Sequence, residues 1–315
     1  MQVDDIKRIA VVGAGYMGRG IAQEFAVAGY EVTLNSRTRQ SLERSLTHIE
    51  VNLNRMVEVG SLSNEQAQSA LPRIRTGTVL KGMVESADVV IESVSEDLIL
   101  KQQVFRELDQ YCPERTILAT TTSSLLPSQL ASATRRPGKV VAAHYISPTD
   151  LVRLVEIMGG EATTDETIST IHKLLVKTGK TPIVIQKETP GFIYTRLAMA
   201  VGREALSIVQ KGIANPEDVD TALQYMLGRR LAISGWFEMM DLAGWNVLTP
   251  VFETLLPEID SSSDVLELLR EMVSRNEVGV RSGKGFYDWT DEKAEDLRRR
   301  LTFNLIETEK WGRPP

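Results

Sequence analysis

The chain reads as an α/β protein: a doubly wound, mostly parallel sheet followed by an all-helical region. Three observations predict this. Short apolar runs alternate with amphipathic stretches through the first half, a glycine-rich turn joins the first run to a helix, and beyond Lys187-Glu188-Thr189-Pro190-Gly191 the pattern is helical only. A chain of 315 residues also exceeds what one core of ~250–300 residues holds. Two domains are expected, a dinucleotide-binding one over 1–188 and a helical one over 189–315.

The first element is the buried strand Ile9-Ala10-Val11-Val12. Gly13-Ala14-Gly15-Tyr16-Met17-Gly18 follows it and opens the helix carrying Ile21, Ala22, Phe25 and Ala26. The first glycine permits the tight turn, the second lets a pyrophosphate approach the backbone, and the third lets helix and strand pack closely. Unpaired N–H groups and the helix dipole then favour the phosphates. Gly13, Gly15, Met17 and Gly18 are therefore expected to line a dinucleotide site; the alternative is a glycine turn in an unrelated α/β domain. A second strand is read at 31–34, then a helical region over 39–70 interrupted at Gly60-Ser61, then strands at 89–94, 117–120, 140–144, 154–158 and 182–185. In the helical region Asn215 caps a helix with Pro216 at its first position, Gly228 reads as a terminator, and Ser261-Ser262-Ser263 precedes a helix from near Asp264.

Composition narrows the function classes. Hydrophobic content of 42%, charged content of 25% and a net charge of −6 give no basic surface for nucleic acid. Cys112 is the only cysteine, so neither a disulfide framework nor a thiolate metal cluster is expected, and no metal site is read. The N-terminal Met1-Gln2-Val3-Asp4-Asp5 lacks the basic and apolar regions of a signal peptide, and no apolar run approaches ~20 residues. No membrane partner and a cytoplasmic setting are expected.

A second chemical site is His144-Tyr145-Ile146-Ser147-Pro148, at a strand end where ligands of open α/β sheets bind. A buried histidine at a strand end is the plainer reading. Its company argues otherwise: Glu156 lies in the apolar strand Leu154-Val155-Glu156-Ile157-Met158, where an unpaired carboxylate would be costly, and a histidine would satisfy it.

With these residues in view the chain resembles the 3-hydroxyacyl-CoA dehydrogenase family over essentially its whole length. The matching text is the glycine turn, Ser95-Glu96-Asp97-Leu98, Thr122-Ser123-Ser124, His144 with Glu156, Pro190-Gly191-Phe192-Ile193 and Gly283-Lys284-Gly285-Phe286-Tyr287. The resemblance implies a Rossmann-like domain, a helical domain that dimerises, and oxidation of a hydroxyl β to a carboxyl group. It implies His144 as general base, Glu156 as the carboxylate fixing its tautomer, Ser123 on the reacting oxygen and Glu96 on the nicotinamide ribose. Ser123 could equally serve turn chemistry.

The chain departs from the family at three positions. Thr195, Ser147 and Thr121 stand where the family usually has asparagine; the first is read as a substrate contact, and Ser147 likewise. A hydroxyl reaches less far than an amide and lacks its paired donors. The text around Ser95 and Leu126-Pro127-Ser128-Gln129-Leu130 is similar to the branch holding L-gulonate 3-dehydrogenase and lambda-crystallin. Between Arg39 and Ala70 the basic residues besides His48 are Arg39, Arg44 and Arg55, with no lysine for a CoA group. Both an acyl-CoA and a small free 3-hydroxy acid therefore stand as substrates, with a non-catalytic, crystallin-like dinucleotide-binding protein as the alternative. An NAD-specific fold carries a carboxylate about 20 residues beyond the glycines. Here that position is Ser36, followed by Arg37, a pairing that favours a 2′-phosphate and hence NADP over NAD. Arg37 lying over the adenine, with NAD bound, is the other reading. Apolar text around Trp236-Phe237 and Leu242-Ala243-Gly244-Trp245 predicts a homodimer through the helical domain.

Overall fold

Strand β1 (Arg8–Val12) leads through the glycine turn into α1 (Tyr16–Val27), and β2 (Glu31–Asn35) follows. The helical region after β2 divides into α2 (Arg39–Glu58) and α3 (Asn64–Ala70). Thr38 caps α2 by accepting from the Ser41 amide, and Ser63 caps α3 by accepting from that of Gln66. Then come β3 (Ile74–Gly77), α4 (Leu80–Val84), β4 (Val89–Glu92), α5 (Leu98–Tyr111), β5 (Ile117–Thr120), α6 (Pro127–Ala131), β6 (Val140–Tyr145), β7 (Leu154–Gly159), α7 (Asp165–Lys177) and β8 (Thr181–Ile185). The computed structural model describes residues 1–310 in two units, one spanning Met1–Thr195 and one beginning at Arg196.

The eight strands form one sheet in the order β3-β2-β1-β4-β5-β6-β7-β8. Every pairing is parallel except β6 with β7. That exception is dictated by length: residues 146–153 are too few for a crossover of a dozen or more, so the chain must turn back on itself. Successive side chains of β1 enter opposite cores. Ile9 and Val11 pack with Phe25, Leu34 and Ile49 on one face, and Ala10 and Val12 with Val90, Phe105 and Leu118 on the other.

The strand read at 89–94 ends at Glu92: the Ser93 amide still donates to the Val12 carbonyl of β1 at 2.7 Å, but the Val94 amide turns back onto the Glu92 carboxylate at 2.6 Å. Strand β6 runs one residue beyond the expected 144, to Tyr145. Neither β3 nor α4 is expected from the text. In β3, a short edge strand, only Ile74 is buried, which leaves no alternation to read.

The helical region holds α8 (Tyr194–Gln210), α9 (Pro216–Ala222), α10 (Arg229–Leu231), α11 (Trp236–Ala243), α12 (Trp245–Leu255), α13 (Val265–Ser274) and α14 (Asp291–Lys310). Asn215 caps α9, accepting from the Asp218 amide at 2.8 Å. Gly228 does not terminate its helix. A π-helical turn over Leu223–Gly228 carries the backbone through an ordinary helical φ of −61° at Gly228 into α10. Among the described residues no helix is long and apolar enough to cross a membrane.

Candidate active site

The cofactor cradle forms where β1 meets α1. Gly13 sits at φ +110°, and a Cβ there would lie 2.3 Å from the Ser93 carbonyl oxygen. A Cβ on Gly18 would lie 1.8 Å from the Gly13 carbonyl oxygen, so the helix can touch the turn only because Gly18 lacks a side chain, as the turn can touch the chain beyond β4 only because Gly13 does. Gly15 is different: a Cβ there would meet nothing within 4 Å, and the residue is exposed at the N-cap of α1. The backbone is tight behind the turn and open in front of it, as a pyrophosphate requires, and the residues present fit a dinucleotide. Met17, in the first turn of α1, is half-buried beside Gly18.

At the end of β2, Asn35 is buried and donates its side-chain amide to the Gly77 carbonyl at 2.9 Å. Ser36 is half-buried and Arg37 exposed. Among the described residues no carboxylate pairs with the Arg37 guanidinium.

The His144–Glu156 pair follows from the antiparallel pairing of β6 with β7. In the β6–β7 register His144 stands directly opposite Glu156, which places the two side chains on one face of the sheet. His144 Nδ1 lies 2.8 Å from Glu156 Oε2, with the histidine 4% exposed and the glutamate 0%. The other carboxylate oxygen, Oε1, accepts from the Ile193 and Tyr194 amides at 2.8 and 2.9 Å, at the N-terminal end of α8. Burial works to raise the Glu156 carboxyl, but the histidine and the two amides outweigh it and hold the group below its ordinary range. An ionised carboxylate only accepts, so Nδ1 carries the proton and Nε2 is left free to take another.

Phe192 completes this corner. Its buried ring packs on the imidazole at 4.6 Å between centroids, and its backbone lies in the left-handed region at φ 55°. For a bulky side chain that conformation is strained. It is held where the loop after Gly191 turns both following amides onto Glu156. The sequence reading passed over Phe192 as an individual contact, although it is the only large apolar side chain in Pro190-Gly191-Phe192.

Glu96 gathers the loop after β5. Its Oε1 accepts from the Thr122 and Ser124 hydroxyls and from the Ser123 and Ser124 amides, while Oε2 lies 3.5 Å from Lys101 Nζ. Burial raises this carboxyl, and the hydroxyls, Lys101 and the Ser123 amide overcome that effect and lower it. The Ser123 side chain is exposed at the edge of this loop. Beneath it lies a group the sequence reading missed: Glu92, fully buried, accepts from Lys101 Nζ at 2.8 and 3.0 Å and from the Thr120 hydroxyl at 2.7 Å. The cost argument that singled out Glu156 applies equally to a glutamate ending the apolar run Val89-Val90-Ile91-Glu92. Thr121 is half-buried, Ser147 exposed beyond β6, and Thr195 half-buried in the first turn of α8.

Residues 8–189 match the family model for the NAD binding domain of 3-hydroxyacyl-CoA dehydrogenase, and residues 191–289 match the model for its C-terminal domain. A 3-hydroxybutyryl-CoA dehydrogenase of Clostridioides difficile is 34% identical over 283 residues, covering 90% of this chain and 99% of the relative. A crystal structure of (S)-3-hydroxybutyryl-CoA dehydrogenase from Ralstonia eutropha superposes with a TM-score of 0.75 at 29% identity, covering 91% of this chain and 100% of that one. A crystal structure of 5-formyl-3-hydroxy-2-methylpyridine 4-carboxylic acid 5-dehydrogenase, described as an NAD+ dependent dismutase, superposes with a TM-score of 0.89 at 28% identity, covering 98% of this chain and 100% of that one.

Proposed function

The chain belongs to the 3-hydroxyacyl-CoA dehydrogenase family and is an oxidoreductase acting on a 3-hydroxy or 3-oxo group with a nicotinamide cofactor; from that premise we propose that His144 is its general base and Glu156 the group that orients it. The observation that carries this is the buried cross-strand pair, with Nδ1 committed to Glu156 and Glu156 committed in turn to two backbone amides. In the oxidative direction His144 Nε2 takes the hydroxyl proton, and Glu156, kept ionised, stabilises the imidazolium. When bound, the nicotinamide supplies the hydride acceptor. Ser123 would donate a hydrogen bond to the reacting oxygen, Glu96 would hold the nicotinamide ribose, and Thr195 and Ser147 would contact the substrate. Of the four turn residues, Gly15 and Met17 would line the open side that takes the pyrophosphate, and Gly13 and Gly18 permit the tight turn behind it.

NAD is the cofactor of the family. For this chain the end of β2 supports a preference for NADP(H). No carboxylate is present there to repel a 2′-phosphate, Ser36 offers a hydroxyl, and Arg37 offers an uncommitted planar fork.

The similarity to 3-hydroxybutyryl-CoA dehydrogenase supports a short 3-hydroxyacyl-CoA as substrate. A small free acid is the second reading, and two observations favour it. Helices α2 and α3 carry Glu43, Glu50, Glu58 and Glu65 against Arg39, Arg44 and Arg55, a poor surface for a polyphosphate. The superposition with TM-score 0.89 is on an enzyme whose name describes a pyridine carboxylic acid. Absorbance at 340 nm with acetoacetyl-CoA, 3-hydroxybutyrate, L-gulonate and carnitine, each with both cofactors, separates the readings. Stoichiometric cofactor binding with no turnover of any of them would support the non-catalytic alternative.

A further inference from the structure

One face of α1 is given over to the loop that follows His144. Gly20, Gln23 and Glu24 lie at i, i+3 and i+4, and so point the same way. A Cβ on Gly20 would lie 1.9 Å from the Thr149 hydroxyl, so the loop rests directly on the helix backbone. Asn52 of α2 donates to Gln23 Oε1 and to Asp150 Oδ2, both at 3.0 Å, linking α1, α2 and the loop. Lys180 Nζ, 6% exposed, stands 3.0 Å from Glu24 Oε2 and donates to the carbonyls of Thr149 and Val152, the latter at 2.9 Å. Thr178 and Tyr145 donate their hydroxyls to Glu24 Oε1 at 2.9 and 3.4 Å.

A charged pair buried this deeply is weak evidence for stability, because desolvation offsets most of the attraction. What this pair does accomplish is geometric. The same helix presents its N-terminus to the cofactor cradle and its side to the loop bearing Ser147, and Lys180 joins the two through two loop carbonyls. Resting on the reading that His144 and Ser147 face the substrate, we infer that Lys180 and Glu24 are positioning residues: they clamp the Ser147–Val152 loop to α1 and thereby set the substrate's register against the nicotinamide.

The test separates positioning from stability. Burial pushes the Glu24 carboxyl up, so in Lys180→Met it takes a proton more readily than it would beside the lysine. In Glu24→Gln/Lys180→Met no charge remains to bury, and an amide oxygen still accepts from Thr178. This double variant is expected to melt within a few degrees of wild type. Its kcat, with whichever of the four probe compounds wild type turns over fastest, is expected to fall by about ten- to a hundredfold, the scale of small misplacements at a reacting centre. Its Kd for reduced cofactor, read by fluorescence, stays within about twofold. In cofactor-free protein, exchange of the Leu151 and Val152 amides, which donate to the Pro148 carbonyl at 3.1 and 2.9 Å, is expected to speed by about tenfold or more. Wild-type kcat in the double variant, or unchanged exchange at both amides, would overturn the clamp. Exchange is recorded without substrate, so a wild-type protein inactive on every probe would overturn the reading of the reaction and leave exchange to decide the clamp.

Discussion

At the scale of single residues the proposed reaction rests on where two protons sit. If His144 is the general base proposed above, His144→Gln removes the Nε2 that takes the substrate proton, and is expected to lower kcat by about two to four orders of magnitude while fluorescence titration shows unchanged cofactor affinity. Glu156→Gln keeps a partner for the ring but cannot stabilise its cation, so turnover also slows. The same substitution carries a pH signature. The folded value of Glu156 lies below the ordinary 4.5, so its contribution to stability is fully present above that value and is lost as pH falls through the depressed one. The difference in melting temperature between wild type and Glu156→Gln should therefore shrink as pH is lowered from 7 to 3; a difference constant over that range would contradict the ionised, hydrogen-bonded carboxylate. If Arg37 takes the 2′-phosphate as proposed, Arg37→Ala should cost about ten- to a hundredfold in kcat/KM with NADPH, the equivalent of one charge-assisted contact of ~1.5–3 kcal/mol, and leave NADH kinetics alone. Higher kcat/KM for NADH in wild type would refute the preference outright.

Between elements, the site is a product of register and of caps, and this divides what the sequence discloses from what it withholds. The strand, glycine turn and helix at 8–27 are legible because each glycine answers a local demand within a few residues. His144 and Glu156 are legible as a pair because an apolar strand cannot leave a carboxylate unpartnered. Their placement directly opposite one another is not legible, since it depends on the pairing of β6 with β7. The two amides from Ile193 and Tyr194 are hidden for a similar reason: they lie 37 and 38 residues from Glu156 and are backbone groups, to which side-chain text gives no clue. Gly228 misleads because glycine tolerates helical as well as left-handed backbone, and here it adopts the former. Lys101, on the buried side of α5, ties that helix to the end of β4 through Glu92. Breaking one side of a buried pair strands the other charge, so Lys101→Met should destabilise the protein by about 3–5 kcal/mol in urea titrations, far more than an exposed lysine would. A loss below about 1 kcal/mol would show that Glu92 is satisfied by Thr120 and the Val94 amide alone.

For the molecule as a whole the remaining question is what covers the helical unit. Phe237 is 73% exposed and Leu242 91%, while Trp236 and Trp245 are each 43% exposed. A cavity of about 880 Å³ among these helices is lined by Trp236, Met240, Leu242, Val251, Phe252 and Leu256. Scattered apolar side chains are normal on a protein surface, but a contiguous set rich in tryptophan, phenylalanine and methionine has the composition of an interface core. A second copy of the chain is the occupant always present at the protein's own concentration, and a two-fold arrangement lets the same patch cover itself without leaving a surface to propagate. The protein is therefore expected to be a homodimer at micromolar concentration by light scattering. Leu242→Glu should weaken it: an unpartnered carboxylate in a dry interface costs several kcal/mol, each ~1.4 kcal/mol is tenfold in Kd, and a rise of about a hundredfold or more follows. Because Leu242 lies in the helical unit and the dinucleotide cradle in the other, Kd for reduced cofactor should be unchanged in that variant. A wild-type monomer at that concentration would leave this surface without its proposed partner, and a Leu242→Glu dimer of wild-type strength would put the interface elsewhere.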